Sequence, residues 1–561
     1  MNQKFTNLYT AEGETLTGQP WNIYPRPQMK RDSFFCLNGE WDFFDGEKNE
    51  KITVPFPPES ILSGIGRRLK KHGLKNYRKS FRLPDGFCKG RVLLHFGAVD
   101  QTATVILNGE ELGTHVGGYE AFSFDITNLL QEENLLEVFC ADASDLGILP
   151  YGKQREKRGG MWYTPVSGIW QTVWMESVPT DYIHRLKINV GADFAEIKTE
   201  GLQNGSVCVQ TPEGEFCTKL REGRARIEIQ NPRMWFPEDP YLYSFTVAAG
   251  EDTVSSYFAL RTLEIKQVDG IPRLCLNGKP YFFHGLLDQG YYSDGIFTPA
   301  TPENYTRDIA KMKALGFNML RKHIKVEPEQ FYYECDRLGM IVFQDMVNNG
   351  KYSFLRDTAL PTVGMKKFPD RLLHRGKVTR KAFEQGMEAT VKQLYNHPCI
   401  CYWTIFNEGW GQFDSATMYE KLKELDSTRF IDATSGWFKG KKSDVESLHV
   451  YFKPFKIKAA KKPIVLSEFG GYSYRIPGHS FNEEGKPYGY RFFQNRETFE
   501  DALCTLYEIE IIPALPKGLC AAVYTQVSDV EDETNGLLTY DRKIMKVGEE
   551  RMRKLAEKLK L

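Results

Sequence analysis

Two β-rich regions followed by a (β/α)8 barrel is the fold class this sequence predicts, and three observations predict it. Residues 91–142 carry short alternating apolar runs broken by turn signals. A second set of short alternating runs fills residues 180–263. From residue 264 onward the runs become continuously apolar and alternate with helix-period stretches, the pattern of parallel strands buried on both faces.

In the first region, RVLLHF and ATVILNG read as strands, and Asn108-Gly109 is a hairpin dipeptide. The second region contains EFCTKL, ARIEIQ, YLYSFTVAA and TVSSYFALRT. Its size suits a small immunoglobulin-like sandwich. The join is placed at Pro179-Thr180, which gives regions 1–179, 180–263 and 264–561. The third region holds eight runs: YFFHGLL, FNMLRKH, MIVFQDM, CYWTIFNE, RFIDATS, SLHVY, PIVLSEFG and LCAAVYTQV. The amphipathic helix ENYTRDIAKMKALG separates the first and second, and EPEQFYYECDRLG separates the second and third. Eight strand–helix units in a region of this length have the count and size of a barrel. A doubly wound open sheet is the competing architecture, but it would place a Gly-rich phosphate loop after its first strand, and GLLDQG does not match one. The terminal KVGEERMRKLAEKLKL reads as the last barrel helix with a solvated face.

Composition narrows the function classes. Lys+Arg and Asp+Glu are both 73, so formal net charge is zero and a nucleic-acid partner is not indicated. No segment reaches the roughly 18 uninterrupted apolar residues of a membrane helix. MNQKFTNLYTAEGETL lacks the apolar stretch of a signal peptide. The eleven cysteines show no CxxC pair and no pairing framework, and no histidine cluster has metal-ligand spacing. That pattern suits a reducing cytoplasm. No cofactor or metal is implied.

Catalytic residues of such barrels sit at the C-terminal ends of strands. Run four ends in Asn407-Glu408 and run seven in Ser467-Glu468. Run two ends in Arg321-Lys322-His323, run three in Gln344-Asp345, and run six in Tyr451. A single strand-end carboxylate is ordinarily half of an ion pair, because a lone buried charge is costly. Two of them, on strands four and seven of one barrel, can face one pocket. Paired carboxyls about 5–5.5 Å apart are what retaining glycoside hydrolysis requires. One attacks the anomeric carbon; the other protonates the leaving oxygen and later activates water. The acid must stay protonated near neutral pH, which apolar surroundings favour. Glu408 has Trp403, Phe406 and Trp410 as chain neighbours, and Glu468 has Arg321 and Tyr451 as candidate donors.

These segments resemble a family. WTIFNEGW and IVLSEFGG are similar to the acid/base and nucleophile segments of glycoside hydrolase family 2, which includes β-galactosidases, β-glucuronidases and β-mannosidases. PRPQMKRDSFFCLNGEWDF and MWYTPVSGIWQTVWME resemble the two ends of the family's sugar-binding-like sandwich, and NGKPYFFHG resembles the start of its barrel. The resemblance covers nearly the whole chain and implies the family's order: jelly-roll sandwich, immunoglobulin-like sandwich, TIM barrel. It implies Glu408 as acid/base, Glu468 as nucleophile, Asn407 on the sugar 2-hydroxyl, and Tyr451 and Arg321 holding the nucleophile. It also implies a carbohydrate substrate, and relatives often form homo-oligomers.

The chain departs from the family pattern at several positions. His323 stands one place early, and Lys322 and Lys325 flank it; each lysine is either a surface ion pair or a contact for a uronate carboxylate. Tyr524 stands where relatives place a tryptophan sugar platform. Glu533-Thr534-Asn535 replaces the Asn-x-Lys of glucuronidases, which argues against an ordinary glucuronidase. Asp288 and Asp345 are candidate hydroxyl acceptors, and Trp410 a candidate sugar contact. The basic stretch KQREKRGG at 153–160 is either a loop reaching the pocket or a solvated surface loop. The expectation is a terminal β-galactoside as substrate, with a β-hexuronide as the runner-up and an inactive carbohydrate-binding protein as the rival from another class.

Overall fold

A computed structural model describes residues 7–69, 73–142, 146–362, 370–457 and 461–561. The first six residues of the leader reading lie outside the described residues. The N-terminal region is a sandwich of two antiparallel sheets, one of four strands and one of six. Strand Thr102–Leu107 shows why it forms: Ala103, Val105 and Leu107 are fully buried, and the residues between them are not. Asn108 and Gly109, with φ of 53° and 87°, turn the chain into Glu110–Val116. Positive φ at both centre positions is the tight hairpin geometry that the Asn-Gly dipeptide favours. Trp41, Phe43 and Tyr77 fill the space between the sheets.

The second sandwich packs a three-stranded sheet against a four-stranded one. In Tyr243–Ala249 every other residue is buried, which points Tyr243, Phe245 and Val247 into its core. The cysteine reading needs a correction here. Cys208 and Cys217 face each other across the hairpin Gly205–Thr211/Gly214–Leu220 and form a disulfide. Antiparallel register makes the pair, and a separation of nine residues gave no framework signal in the sequence.

All eight expected runs are strands of one parallel sheet: Phe283–Asp288, Met319–Lys322, Ile341–Asp345, Ile400–Asn407, Phe430–Ser435, Glu446–Val450, Ile464–Gly470 and Leu519–Thr525. They are called barrel strands one to eight below. The sheet runs 5-4-3-2-1-8-7-6, and strands five and six meet through the Ser435 and Ser447 hydroxyls at 3.3 Å. Helices Glu303–Ala314 and Glu329–Leu338 cover strands one to three. The second of these stops at Gly339, whose φ of 74° lets its N–H return to Cys335 O. The terminal helix is shorter than expected, Glu549–Ala556, with Met552 and Leu555 buried. No helix among the described residues is long and apolar enough to cross a membrane.

The first sandwich is not a separate body beside the barrel. Trp21, Tyr119, Tyr151, Trp162 and Trp170 belong to the same apolar core as the barrel strands. Trp170 meets Phe297 edge-on at 5.1 Å and donates to Gly118 O.

Candidate active site

Strands four and seven bring the two glutamates together. Glu408 is the first residue past strand four, with φ of 52° and its N–H on Ser435 O. A non-glycine residue held in that region is strained, and such strain collects at functional sites. Strand seven has register irregularities on both sides of Glu468, against strand six and against strand eight. Bulges of this kind re-aim a side chain. The nearest carboxyl oxygens of Glu408 and Glu468 lie within 4.8 Å of each other and of His449 Nδ1.

Glu468 is almost fully buried and heavily partnered. Arg321 Nη1 donates to its Oε1 at 3.0 Å, and Tyr451 Oη donates to its Oε2 at 2.7 Å. Burial alone would push this carboxyl up. The charges of His449, Arg321 and His323 and the Tyr451 hydroxyl outweigh burial and hold it down at about 2. Arg321 also donates to Asp345 Oδ1, Ser467 O and Asn407 Oδ1. The last contact fixes the Asn407 amide with Nδ2 as its remaining donor. Asp345 uses its other oxygen on His323 Nδ1, at 2.7 Å. Both oxygens of Asp345 are thus engaged inside the protein, which distinguishes it from the free hydroxyl acceptor expected.

His449, which the sequence reading did not single out, lies between the two glutamates. Its Nδ1 is 2.8 Å from Glu408 Oε1 and 3.4 Å from Glu468 Oε2, and its Nε2 is 2.9 Å from Ser435 Oγ. A signal was present: in SLHVY, His449 is two residues before Tyr451 and shares its strand face. These three side chains are close enough to hold a cation, yet the imidazole–carboxyl hydrogen bond accounts for them without one.

Several expectations are corrected. Trp403 and Phe406 do not wall Glu408. Trp403 donates to Asp426 on the helix side of strand four, and Phe406 stacks on Phe383 at 4.9 Å. Lys322 and Lys325 are neither surface pairs nor open to a substrate: both are about 1% exposed. Lys322 donates to Asp288 and Glu327, and Lys325 to Glu327, Gly290 O and Phe297 O. Asp288 is thereby drawn into that buried ion cluster. Burial lowers the Lys325 ammonium to about 8. Tyr524 is not a sugar platform; it is fully buried, accepts from Tyr472 N–H, and meets Phe469 edge-on. A Cβ on Gly470 would fall 2.3 Å from its ring, so the strand-seven backbone covers it.

The basic stretch does reach the site. Tyr151, Trp162 and Tyr352 pack around Trp410, two residues from Glu408, with Trp162 and Trp410 rings 5.0 Å apart. Arg155 lies over Trp162 at 4.8 Å, and Lys153 Nζ is 5.7 Å from the same ring. Tyr163 donates to Glu533 and Thr164 N–H to Glu531, which pins this sandwich loop onto the chain after strand eight.

Three family profiles match the chain in order. "Glycosyl hydrolase 2 galactose-binding domain-like" matches residues 69–164, "Glycosyl hydrolases family 2" matches 186–261, and "Glycosyl hydrolases family 2, TIM barrel domain" matches 267–494. The chain belongs to glycoside hydrolase family 2. As a family 2 protein it is similar to the β-galactosidase of Thermoanaerobacter pseudethanolicus, 25% identical over 419 residues, or 69% of this chain. It is 24% identical to the β-glucuronidase of Bacteroides fragilis over 430 residues, or 70% of this chain. The matched parts are 52% and 59% of those two proteins' own lengths. The family 2 fold recurs in the β-D-glucuronidase of Dictyoglomus thermophilum, with TM-score 0.73, 18% identity and coverage of 96% and 98% of the two chains. It recurs in the family 2 β-galacturonidase of Eisenbergiella tayi, with TM-score 0.67, 20% identity and coverage of 94% and 98%.

Proposed function

We propose that this chain is a retaining exo-β-glycosidase with Glu468 as nucleophile and Glu408 as acid and base. The observation that carries this reading is the separation of the two carboxyls. Their nearest oxygens lie within 4.8 Å. Retaining enzymes hold their carboxyls about 5–5.5 Å apart, and inverting ones about 6.5–9.5 Å apart to admit water. In the first step Glu468, held anionic by Arg321 and Tyr451, attacks the anomeric carbon while Glu408 protonates the departing oxygen. In the second, Glu408 takes a proton from water, which displaces Glu468. Asn407 Nδ2 is offered as donor to the sugar 2-hydroxyl, a contact that strengthens in the transition state. Retention of both glutamates, Asn407 and Arg321 in one cluster disfavours the inactive-binder reading.

A terminal β-galactoside is the substrate we favour. Asn535, fully buried, stands where family glucuronidases carry their lysine, and two residues before it is Glu533, buried near Glu468. Burial and the charge of Glu468 raise the Glu533 carboxyl, which accepts from Tyr163 and Gln526. An amide at the lysine position offers a sugar hydroxyl a partner but a uronate no cation. One observation favours a β-hexuronide instead. Lys153 sits by Trp162, close enough to His323 and Glu533 for its charge to act on both. The closing strand Val173–Val178 of the first sandwich and the opening strand Ile183–Val190 of the second support the division at 179/180 that we retain.

A panel of nitrophenyl β-glycosides (galactoside, glucuronide, galacturonide, mannoside and xyloside) tests the sugar. On the best of these, Glu468→Gln is expected to lose at least about 1,000-fold in kcat. Glu408→Ala is expected to spare activated leaving groups and to regain turnover with azide. Substantial turnover by Glu468→Gln sinks the nucleophile assignment.

A further inference from the structure

We propose that His449 is a positioning residue that shares the catalytic proton with Glu408, so that acid and base duty belongs to a carboxyl–imidazole pair. This rests on the acid/base reading of Glu408 given above and goes beyond it.

The hydroxyls behind the ring set its tautomer. Ser467 Oγ donates to Leu448 O at 3.2 Å, and a carbonyl can only accept. Ser435 Oγ donates to Ser467 Oγ at 3.0 Å, and Ser447 Oγ lies 2.7 Å from Ser467 Oγ as its second donor. With its hydrogen on Ser467, Ser435 Oγ offers a lone pair to His449 Nε2, 2.9 Å away. In that arrangement Nε2 is the donor. That leaves Nδ1 to face Glu408 Oε1, at 2.8 Å.

The ring has no freedom to turn away. It is fully buried, Trp437 lies across it at 5.7 Å, and a Cβ on Gly436 would fall 2.8 Å from Nδ1. The charged groups facing it are Glu408 from the end of strand four and Glu468 from strand seven, with Arg321 of strand two and His323 beyond Glu468. Strand five presents the Ser435 hydroxyl to Nε2 and carries the buried Asp432, which bonds Ser447.

One proton on the Nδ1···Oε1 line then serves both steps. When the C1–O bond breaks and the Glu468–C1 bond forms, that proton goes to the aglycone oxygen. Glu408 and the Nδ1 lone pair are left facing each other, an arrangement that favours recovery of a proton. When water attacks C1 and the Glu468–C1 bond breaks, the proton lost by water returns to the same line. Either end of the 2.8 Å line can hold this proton, and removing the imidazole leaves it to the carboxyl alone.

The test is His449→Gln, assayed on the methyl and the 2,4-dinitrophenyl β-glycosides of the sugar the panel selects. The methyl glycoside, which needs the acid, is expected to lose about 100-fold in kcat/KM, and the dinitrophenyl one less than about tenfold. The alkaline limb of kcat/KM is expected to move about one pH unit lower. Equal losses on both substrates with an unmoved limb overturn the proposal. Ser435→Ala carries the test should His449→Gln not fold. It leaves the ring and both glutamates in place and removes the Nε2 acceptor, and a limb shift of about half a unit is expected. An unmoved limb in that variant also overturns the proposal. Glu408→Ala without leaving-group discrimination or azide rescue removes the underlying acid/base reading, a result distinct from either.

Discussion

Arg321 makes four hydrogen bonds from one fully buried guanidinium, to Asp345, Ser467 O, Glu468 and Asn407. A planar fork can fill four acceptors in four directions; an ammonium on a flexible stem cannot. Arg321→Lys is therefore expected to lower kcat about 100-fold or more and stability by roughly 2–4 kcal/mol, because buried acceptors are left unmet. Steady-state kinetics and urea unfolding check both, and near wild-type kcat would contradict the role given to the fork. At this scale the meeting of Glu408, Glu468, Arg321 and Tyr451 was legible because the proposed chemistry needs charged or hydroxyl groups at strand ends. His449 was not, because a lone histidine in an apolar run looks like core until its neighbours across the barrel are known. Lys322 and Lys325 misled for a related reason. Lysines close to a strand end suggest solvent or substrate, and only the fold shows Glu327 waiting beneath them.

The barrel strands were legible as elements because each is apolar throughout, and the intervening helices because their apolar residues keep the helical period. The register irregularities around Glu468 were not, since a bulge depends on both neighbouring strands. Strand one offers a pH prediction. Its His284 donates from Nδ1 to Gly316 O and accepts from Tyr507 Oη at Nε2, a fully paired neutral ring. Burial lowers it from its ordinary 6.5 to about 4. The unfolded chain takes up a proton below about 6.5 that the folded chain refuses. The contribution of His284 is thus fully present above that pH and is lost as pH falls toward 4. Between pH 8 and pH 5 the wild type should lose about 2 kcal/mol relative to His284→Gln. Paired urea titrations at the two pH values measure this, and a constant gap would falsify the assignment of the low value to burial.

At the scale of the whole molecule, the order of sandwich, sandwich and barrel was legible, since each region has its own hydrophobic period. The shared core between the first sandwich and the barrel was not, because nothing local shows that Trp162 and Trp170 pack onto strands and loops far along the chain. The same docking brings Lys153 to the rim. Lys153→Met should raise KM for a β-galacturonide or β-glucuronide about tenfold and leave the β-galactoside within about twofold, if uronates bind at all. Equal effects on both sugars would show that Lys153 does not read a carboxylate.

The rim loop comes from the first sandwich and the glutamate cluster from the barrel, and the two are held by different residues. Tyr163 and Thr164 fasten the loop to Glu533 and Glu531, while Arg321, Asp345 and Tyr451 hold Glu468 from the barrel. On the proposed function, recognition and reactivity are separable in the gene. Diversifying codons 153–160, between the buried anchors Tyr151 and Trp162, is expected to change which glycosides are accepted while leaving the contacts of Glu408 and Glu468 in place.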